Sequence, residues 1–351
     1  MKLIRPTVIT DAMLTSDVPE GAGTAWNSGT TYALNARVDV TTGTVIDVYQ
    51  SLQASNTNHA PASSPTWWRK VATTYAAWAS GTTYAQNAIV ISPTTHRRYQ
   101  SVIASNVGHD PTAAGSSAYW TDIGPTNRWA MFDQGVGSKS QETGTIVVTL
   151  APGQVDSLVV LDTDAELVNV TMTVSSSTVY NVTQSTNVGG NAITDWFLYF
   201  FEPIGKRNTV TFLDLPPYPS GVITVTFTGA DPAGAVSVGT LIVGNALNIG
   251  STEVGASVGI RDYSKKETDD FGVTTVVERA WSKRMELRCM LDTANVDTIQ
   301  RELAKVRAIP CIWIGEDGFD SLTIYGFFAD FSLDLAFPNI SYCSLTIEGL
   351  T

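Results

Sequence analysis

An internal duplication restricts this chain more than any other feature of its sequence. Ala25-Trp26-Asn27-Ser28-Gly29-Thr30-Thr31-Tyr32-Ala33, followed by Asn35, Ala36 and Val38, returns as Ala77-Trp78-Ala79-Ser80-Gly81-Thr82-Thr83-Tyr84-Ala85, followed by Asn87, Ala88 and Val90. Tyr49-Gln50-Ser51 and Ala54-Ser55-Asn56 likewise match Tyr99-Gln100-Ser101 and Ala104-Ser105-Asn106, while His59 and Pro61 match His109 and Pro111. Trp67-Trp68 and Tyr119-Trp120 close the two units, and the second is two residues shorter in its central hairpin. Units this small bury little surface, so large aromatic rings must supply most of each core. Each is expected to form two or three short strands around an aromatic plug. Asn35 and Asn87 fall where a turn needs a residue that tolerates positive φ. His59 and His109 precede a proline in a loop, which points to a turn role.

The order Trp-x-x-Gly-Thr-x-Tyr, a strand containing valine, Tyr-Gln-Ser, Asn, Pro and a terminal Trp resembles the chitin-binding type of small carbohydrate-binding module. The likeness covers residues 24–124 in two copies. It implies that one closing aromatic packs inside while exposed rings stack on sugar faces. Trp67 or Trp68, and Tyr119 or Trp120, then become the candidate platforms, with Tyr32 and Tyr84 as neighbours. The family usually carries Gly-Asp after the tyrosine, and here that pair is Asn35-Ala36 and Asn87-Ala88. The same rings serve equally as a small core or a protein interface.

Pro125 and the run Gln134-Gly135-Val136-Gly137-Ser138 mark a new unit. Thr145–Leu150, Ser157–Leu161, Leu167–Val174, Trp196–Phe201, Thr209–Leu213 and Val222–Thr228 are strand-like runs divided by turn clusters, a spacing that predicts a β-sandwich or jelly roll. Asn127 to Asp133 with Val155 to Leu158 is similar to the opening of galactose-binding-like jelly rolls. Beyond it, Asn295–Arg307 carries Val296, Ile299, Leu303 and Val306 at helical spacing, with Pro310 after its end. Strand-like runs flank that helix at Thr274–Arg279, Glu286–Leu291, Ile312–Gly315, Leu322–Phe328 and Cys343–Glu348. A sheet covered by one helix and ending Cys343-Ser344-Leu345-Thr346-Ile347-Glu348-Gly349 resembles the closing segments of phage minor-tail and distal-tail proteins. The expected fold is thus mostly β. It comprises an N-terminal arm (1–23), two small modules (24–72 and 76–124), a jelly-roll sandwich (125–240) and a sheet-plus-helix domain (241–351).

Composition limits the functions open to such a chain. Charged residues make up only 15%, against about 25% in average globular domains, and the net charge is −12. A phosphate backbone needs clustered Lys and Arg to release counterions. The densest basic stretch, around Lys283-Arg284, is interrupted by Glu278 and Glu286, so nucleic acid is not an expected partner. The three cysteines, Cys289, Cys311 and Cys343, form neither a CxxC nor a Cys/His pairing and read as small buried hydrophobes. The start lacks the apolar stretch of a signal peptide and no run reaches membrane-spanning length, so synthesis in the host cytoplasm without membrane insertion is expected.

Catalytic patterns are equally sparse. His59, His96 and His109 are the only histidines, no Gly-x-Ser-x-Gly elbow appears, and no glycine-rich loop leads into Lys-Ser or Lys-Thr. Asp162-x-Asp164-x-Glu166 has the spacing to hold calcium but reads more simply as a turn between strands. Glu316 to Asp320 is a turn signal, and Lys265 to Gly272 reads as an exposed hairpin tip or loop. No catalytic residue, metal site or cofactor is therefore expected.

The resemblances together imply a virion protein. It would be a structural component of a bacteriophage tail tip or baseplate, built in as a three- or six-fold homo-oligomer with other tail proteins. Its carbohydrate-binding-like modules would face a host surface glycan. The alternative is a free non-catalytic carbohydrate-binding protein, or such a subunit of a polysaccharide-degrading system.

Overall fold

The computed structural model describes residues 1–187, 206–268 and 270–350; the run expected at Trp196–Phe201 lies outside them. The fold is mostly β, with curled antiparallel sheets. A single α-helix, Val296–Lys305, stands among the described residues.

The middle of the chain is a jelly roll. Its described strands are, in order, Ser140–Thr143, Thr145–Leu150, Ser157–Thr163, Leu167–Val174, Ser177–Ser185, Thr209–Phe212, Val222–Thr228 and Ala235–Asn248. The first, eighth, third and sixth form one sheet; the second, seventh, fourth and fifth form the other. That interleaving is the double Greek key. Strict alternation sends Ile146, Val148 and Leu150 inward beside Ile223, Val225 and Phe227, with Val168, Val170 and Met172 on the next strand. Their β-branched side chains fit the pleat. Ser177–Ser185, the outermost described strand of its sheet, whose core contacts are the half-buried Tyr180 and Val182, carries too few apolar residues for its pattern to show in the sequence.

The first twenty residues are pinned against the body through two short strands. Leu14–Ser16 adds an edge strand to one sheet of the jelly roll by pairing with Thr145–Leu150. Lys2–Pro6 is inserted in the middle of the other. On one side it pairs with Ala235–Asn248, Ile4 opposite Ala246; on the other it pairs with Cys311–Ile314, Ile4 opposite Ile312. A sheet of eleven described strands results, running from Thr209–Phe212 through this bridge into the C-terminal strands. The backbones approach so closely at Gly244 that a Cβ there would lie 2.3 Å from the Arg5 carbonyl oxygen. Only glycine fits that position. The boundary expected at residue 240 falls inside the fourteen-residue strand Ala235–Asn248, which belongs to both units.

Beyond the bridge the sheet continues as Cys311–Ile314, Thr323–Asp334, Ile340–Gly349 and Trp281–Asp292. The helix lays Ile299 and Leu303 on one face, against a core that includes Leu3, Cys289, Trp313, Cys343 and Leu345. Trp313 is fully enclosed, and its Nε1–H donates to the Gly326 carbonyl at 3.0 Å. On the opposite face of the same sheet Ile4, Val159, Ile242, Ile312, Ile314 and Tyr325 form a separate buried cluster that joins jelly-roll and C-terminal strands.

Each module is a small meander. Arg37–Thr42, Val45–Ser51 and Trp68–Tyr75 make the first sheet; Ile89–Ser92, Arg97–Ser101 and Trp120–Pro125 make the second. Because residues 1–23 supply two strands to the body, that body needs them. Removing 24–124 while keeping 1–23, with a short linker, should leave a cooperative thermal transition, whereas residues 125–351 alone should lose it. The chain ends to be joined lie close, since Glu20 touches Thr126. Circular dichroism melts of the two proteins check this.

Candidate functional site

The duplication is reproduced atom by atom. In the first module Tyr32 meets Trp68 edge to face, centroids 5.2 Å apart; in the second Tyr84 meets Trp120 at 5.3 Å. The Tyr32 and Tyr84 hydroxyls accept from the backbone N–H groups of Asn27 at 2.7 Å and Ala79 at 2.8 Å. Trp68 Nε1–H donates to the His59 carbonyl at 2.8 Å, and Trp120 Nε1–H to the His109 carbonyl at 2.8 Å. Positive φ recurs too: Asn35 at 66° and Asn87 at 67°, Ser55 at 56° and Ser105 at 55°, Asn58 at 60° and Gly108 at 74°.

Tyr32, Trp68, Tyr84 and Trp120 are all buried. They are the plugs of the two cores and cannot stack on an external sugar. Of the six candidate rings, Trp67 and Tyr119 are the half-exposed ones. Each lies flat on a histidine: Trp67 on His59 with centroids 3.8 Å apart, Tyr119 on His109 at 3.4 Å, both pairs within 11° of parallel. The histidines are fixed in turn by a buried asparagine. His59 Nδ1 lies 3.0 Å from Asn56 Oδ1, and His109 Nδ1 lies 2.9 Å from Asn106 Oδ1. The asparagine Nδ2 groups donate to Ser51 Oγ and Ser101 Oγ, and to the Trp67 and Tyr119 carbonyls. Serine, asparagine, histidine and ring thus form one chain of contacts that holds the outer ring flat and rigid. The turn role read for the histidines is only half of their work.

A second constellation joins the modules to the body. Glu20 Oε1 lies 2.8 Å from His96 Nδ1 and accepts from Thr126 Oγ1 at 3.0 Å, while Oε2 accepts from Trp129 Nε1–H at 3.2 Å. His96 stacks on Trp129 with centroids 4.0 Å apart. The Glu20 carbonyl accepts from Thr74 Oγ1 at 2.5 Å. One residue therefore touches both modules and the jelly roll. A faint signal for this existed in the duplication. Counting back from the shared Tyr-Gln-Ser, His96 and Arg98 stand where the first copy has Ile46 and Val48, so the copies diverge where the second meets the body.

Nearby, Arg37 forms close ion pairs with Asp17 and with the enclosed Glu142. Burial, reinforced by the neighbouring Asp17 charge, pushes the Glu142 carboxyl up to about 8 against the opposing pull of Arg37. Burial also raises Asp17 and Asp39. Glu142 lines a cleft of about 820 Å³ between modules and jelly roll, together with Lys70, Tyr75, Arg98 and Asn127.

The acidic run at residues 162–166 is committed elsewhere. Asp162 pairs with Lys139 at 2.9 Å, Asp164 accepts from Ser237, and Glu166 accepts from Asn187. Among the described residues no cluster of His, Cys, Asp and Glu has the arrangement to hold a metal ion. The cysteines are buried, and burial pushes Cys289 and Cys311 up to about 11 and Cys343 to about 12. Neither known protein families nor curated proteins show a match to this chain.

Two expectations follow. Asn106→Ala removes a buried donor and acceptor and strands the His109 and Ser101 partners, costing about 1–3 kcal/mol in a denaturation experiment. For pH, the folded protein holds a proton on Glu142 that the unfolded chain releases between about pH 4.5 and 8. Its contribution therefore falls as pH rises through that window. Glu142→Gln should flatten the slope of urea midpoint against pH there.

Proposed function

We propose that the protein is a non-catalytic structural component of a bacteriophage tail tip, a part that assembles with tail proteins and holds two carbohydrate-binding-like modules toward the host surface. The observation that supports this reading is the bonded mounting of the modules on the body. Glu20 contacts both modules and the jelly roll, Arg37 ties the first module to Asp17 and Glu142 of the body, and the jelly roll is itself stitched into the C-terminal sheet. A free-standing binder gains little from such fixation, whereas a display part gains orientation. The roles found for the histidines support the same reading: two brace outer rings and the third sits in the Glu20 junction.

Trp67 and Tyr119 are the residues proposed to meet glycan, through the ring face turned away from each histidine. Aromatic faces of that kind take the apolar face of a pyranose. Tryptophan fluorescence against a panel of bacterial surface polysaccharides should show a saturable change that Trp67→Ala and Tyr119→Ala each weaken while the thermal midpoint stays within a few degrees of the parent. A flat titration would confine the modules to a packing role. Mass spectrometry and electron microscopy of purified virions test the larger claim, which fails if the protein is missing from the particle.

A further inference from the structure

A cavity of about 220 Å³ opens at the margin of the cluster that joins jelly-roll and C-terminal strands, beside Leu161, Tyr325 and Leu350. Jelly-roll strands supply Asp162 and Thr240 to its wall, and C-terminal strands supply Trp281, Lys283, Thr323 and Tyr325. Three of these residues carry a hydroxyl and are almost enclosed: Thr240 is 6%, Thr323 5% and Tyr325 9% exposed. Thr323 and Tyr325 stand two apart on one strand and so share a face. Among the described residues none of the three hydroxyls has a hydrogen-bond partner. Buried hydroxyls are nearly always bonded, so three unbonded ones around one cavity call for a partner inside it. Burial pushes the Tyr325 phenol up to about 12, which keeps it a neutral donor.

Backbone strain marks the same wall. Between the pairs Leu161–Thr240 and Thr163–Val238, Asp162 takes a left-handed φ of 53°. It faces Gly239, where a Cβ would lie 2.8 Å from the Asp162 Cβ. Such conformations cluster at ligand sites. The charges nearby are already engaged. Asp162 pairs with Lys139 at 2.9 Å, and the Lys283 amine donates to the Asp320 and Thr323 carbonyls at 3.2 and 3.5 Å. What stays uncommitted is hydroxyl groups and the indole of Trp281, which is 52% exposed. Those groups suit a neutral molecule that carries several hydroxyls and an apolar face. The volume lies below the roughly 300 Å³ at which pockets for drug-sized ligands begin, so it admits one ring and not a chain.

We propose that this cavity binds a single neutral pyranose residue, with sugar hydroxyls bonded to Thr240, Thr323 and Tyr325 and the apolar sugar face against Trp281. The site lies on the body, outside residues 24–124, and stands whether or not Trp67 and Tyr119 meet glycan.

The test uses the full-length protein with millimolar glucose, galactose, mannose and N-acetylglucosamine, and glucuronic acid as the charged comparison. Saturation-transfer difference NMR should show ring-proton transfer to at least one neutral sugar, and that sugar should raise the thermal midpoint. Tyr325→Phe and Thr323→Val each delete a hydroxyl that has no protein partner. Without sugar their midpoints should therefore match the parent, while affinity falls about 3- to 10-fold in each. If Tyr325→Phe misfolds, Trp281→Ala at the half-exposed position gives the same reading. The double variant Trp67→Ala with Tyr119→Ala should still bind the sugar, which separates this site from the modules. Transfer to none of the sugars means that the cavity holds water only and overturns the proposal. Tyr325→Phe binding as tightly as the parent does the same. Loss of all binding in the double variant would move the sugar to the modules, and tighter binding of glucuronic acid would make the ligand an anion; either result also overturns it.

Discussion

The body of this molecule depends on the backbone ladder of Lys2–Pro6. A strand in the middle of a sheet satisfies donors and acceptors on both edges, and an unpaired buried backbone group costs about as much as a lost hydrogen bond. Removing this strand would uncover one edge of Ala235–Asn248 and one edge of Cys311–Ile314 together. Its side chains divide the work between faces: Leu3 joins the core beneath the helix, and Ile4 the cluster on the opposite side. Five residues thus turn a jelly roll and a helix-covered sheet into one continuous structure.

The modules follow a different logic. With little apolar surface to bury, each relies on one tyrosine–tryptophan plug and a buried asparagine that ties loop, histidine and outer ring together. A buried polar network is stabilising only when every member is satisfied, and here both copies satisfy it in the same way. The repeated positive φ values are the backbone signature of that shared solution.

Much of this was legible in the sequence, for reasons that are local. The plugs showed because a duplication repeats what the fold needs. Asn35 and Asn87 showed because few residues tolerate a left-handed turn. The helix showed through Ile299, Leu303 and Val306, and the sandwich through alternation in Thr145–Leu150 and Val222–Thr228. What stayed hidden is non-local. Leu3-Ile4 is a two-residue apolar run whose partners lie more than two hundred positions away, and no period reveals such pairing. Choosing between Trp67 and Trp68 also required the fold, since the two differ only in which face of the meander they leave. The Glu20 junction is carried by five residues on four segments, each unremarkable alone.

The position of Lys2–Pro6 also fixes an order of events during synthesis. Lys2–Pro6 is made well before either neighbour, one near residue 246 and the other near residue 312. At about 5–20 residues per second it waits tens of seconds for the second neighbour. The two modules contain all of their own strands and can form in that interval. The jelly roll follows with the far edge of Lys2–Pro6 open, and that edge closes only once Cys311–Ile314 has been made. The nascent protein therefore exposes a sheet edge for the last stretch of synthesis before residue 312.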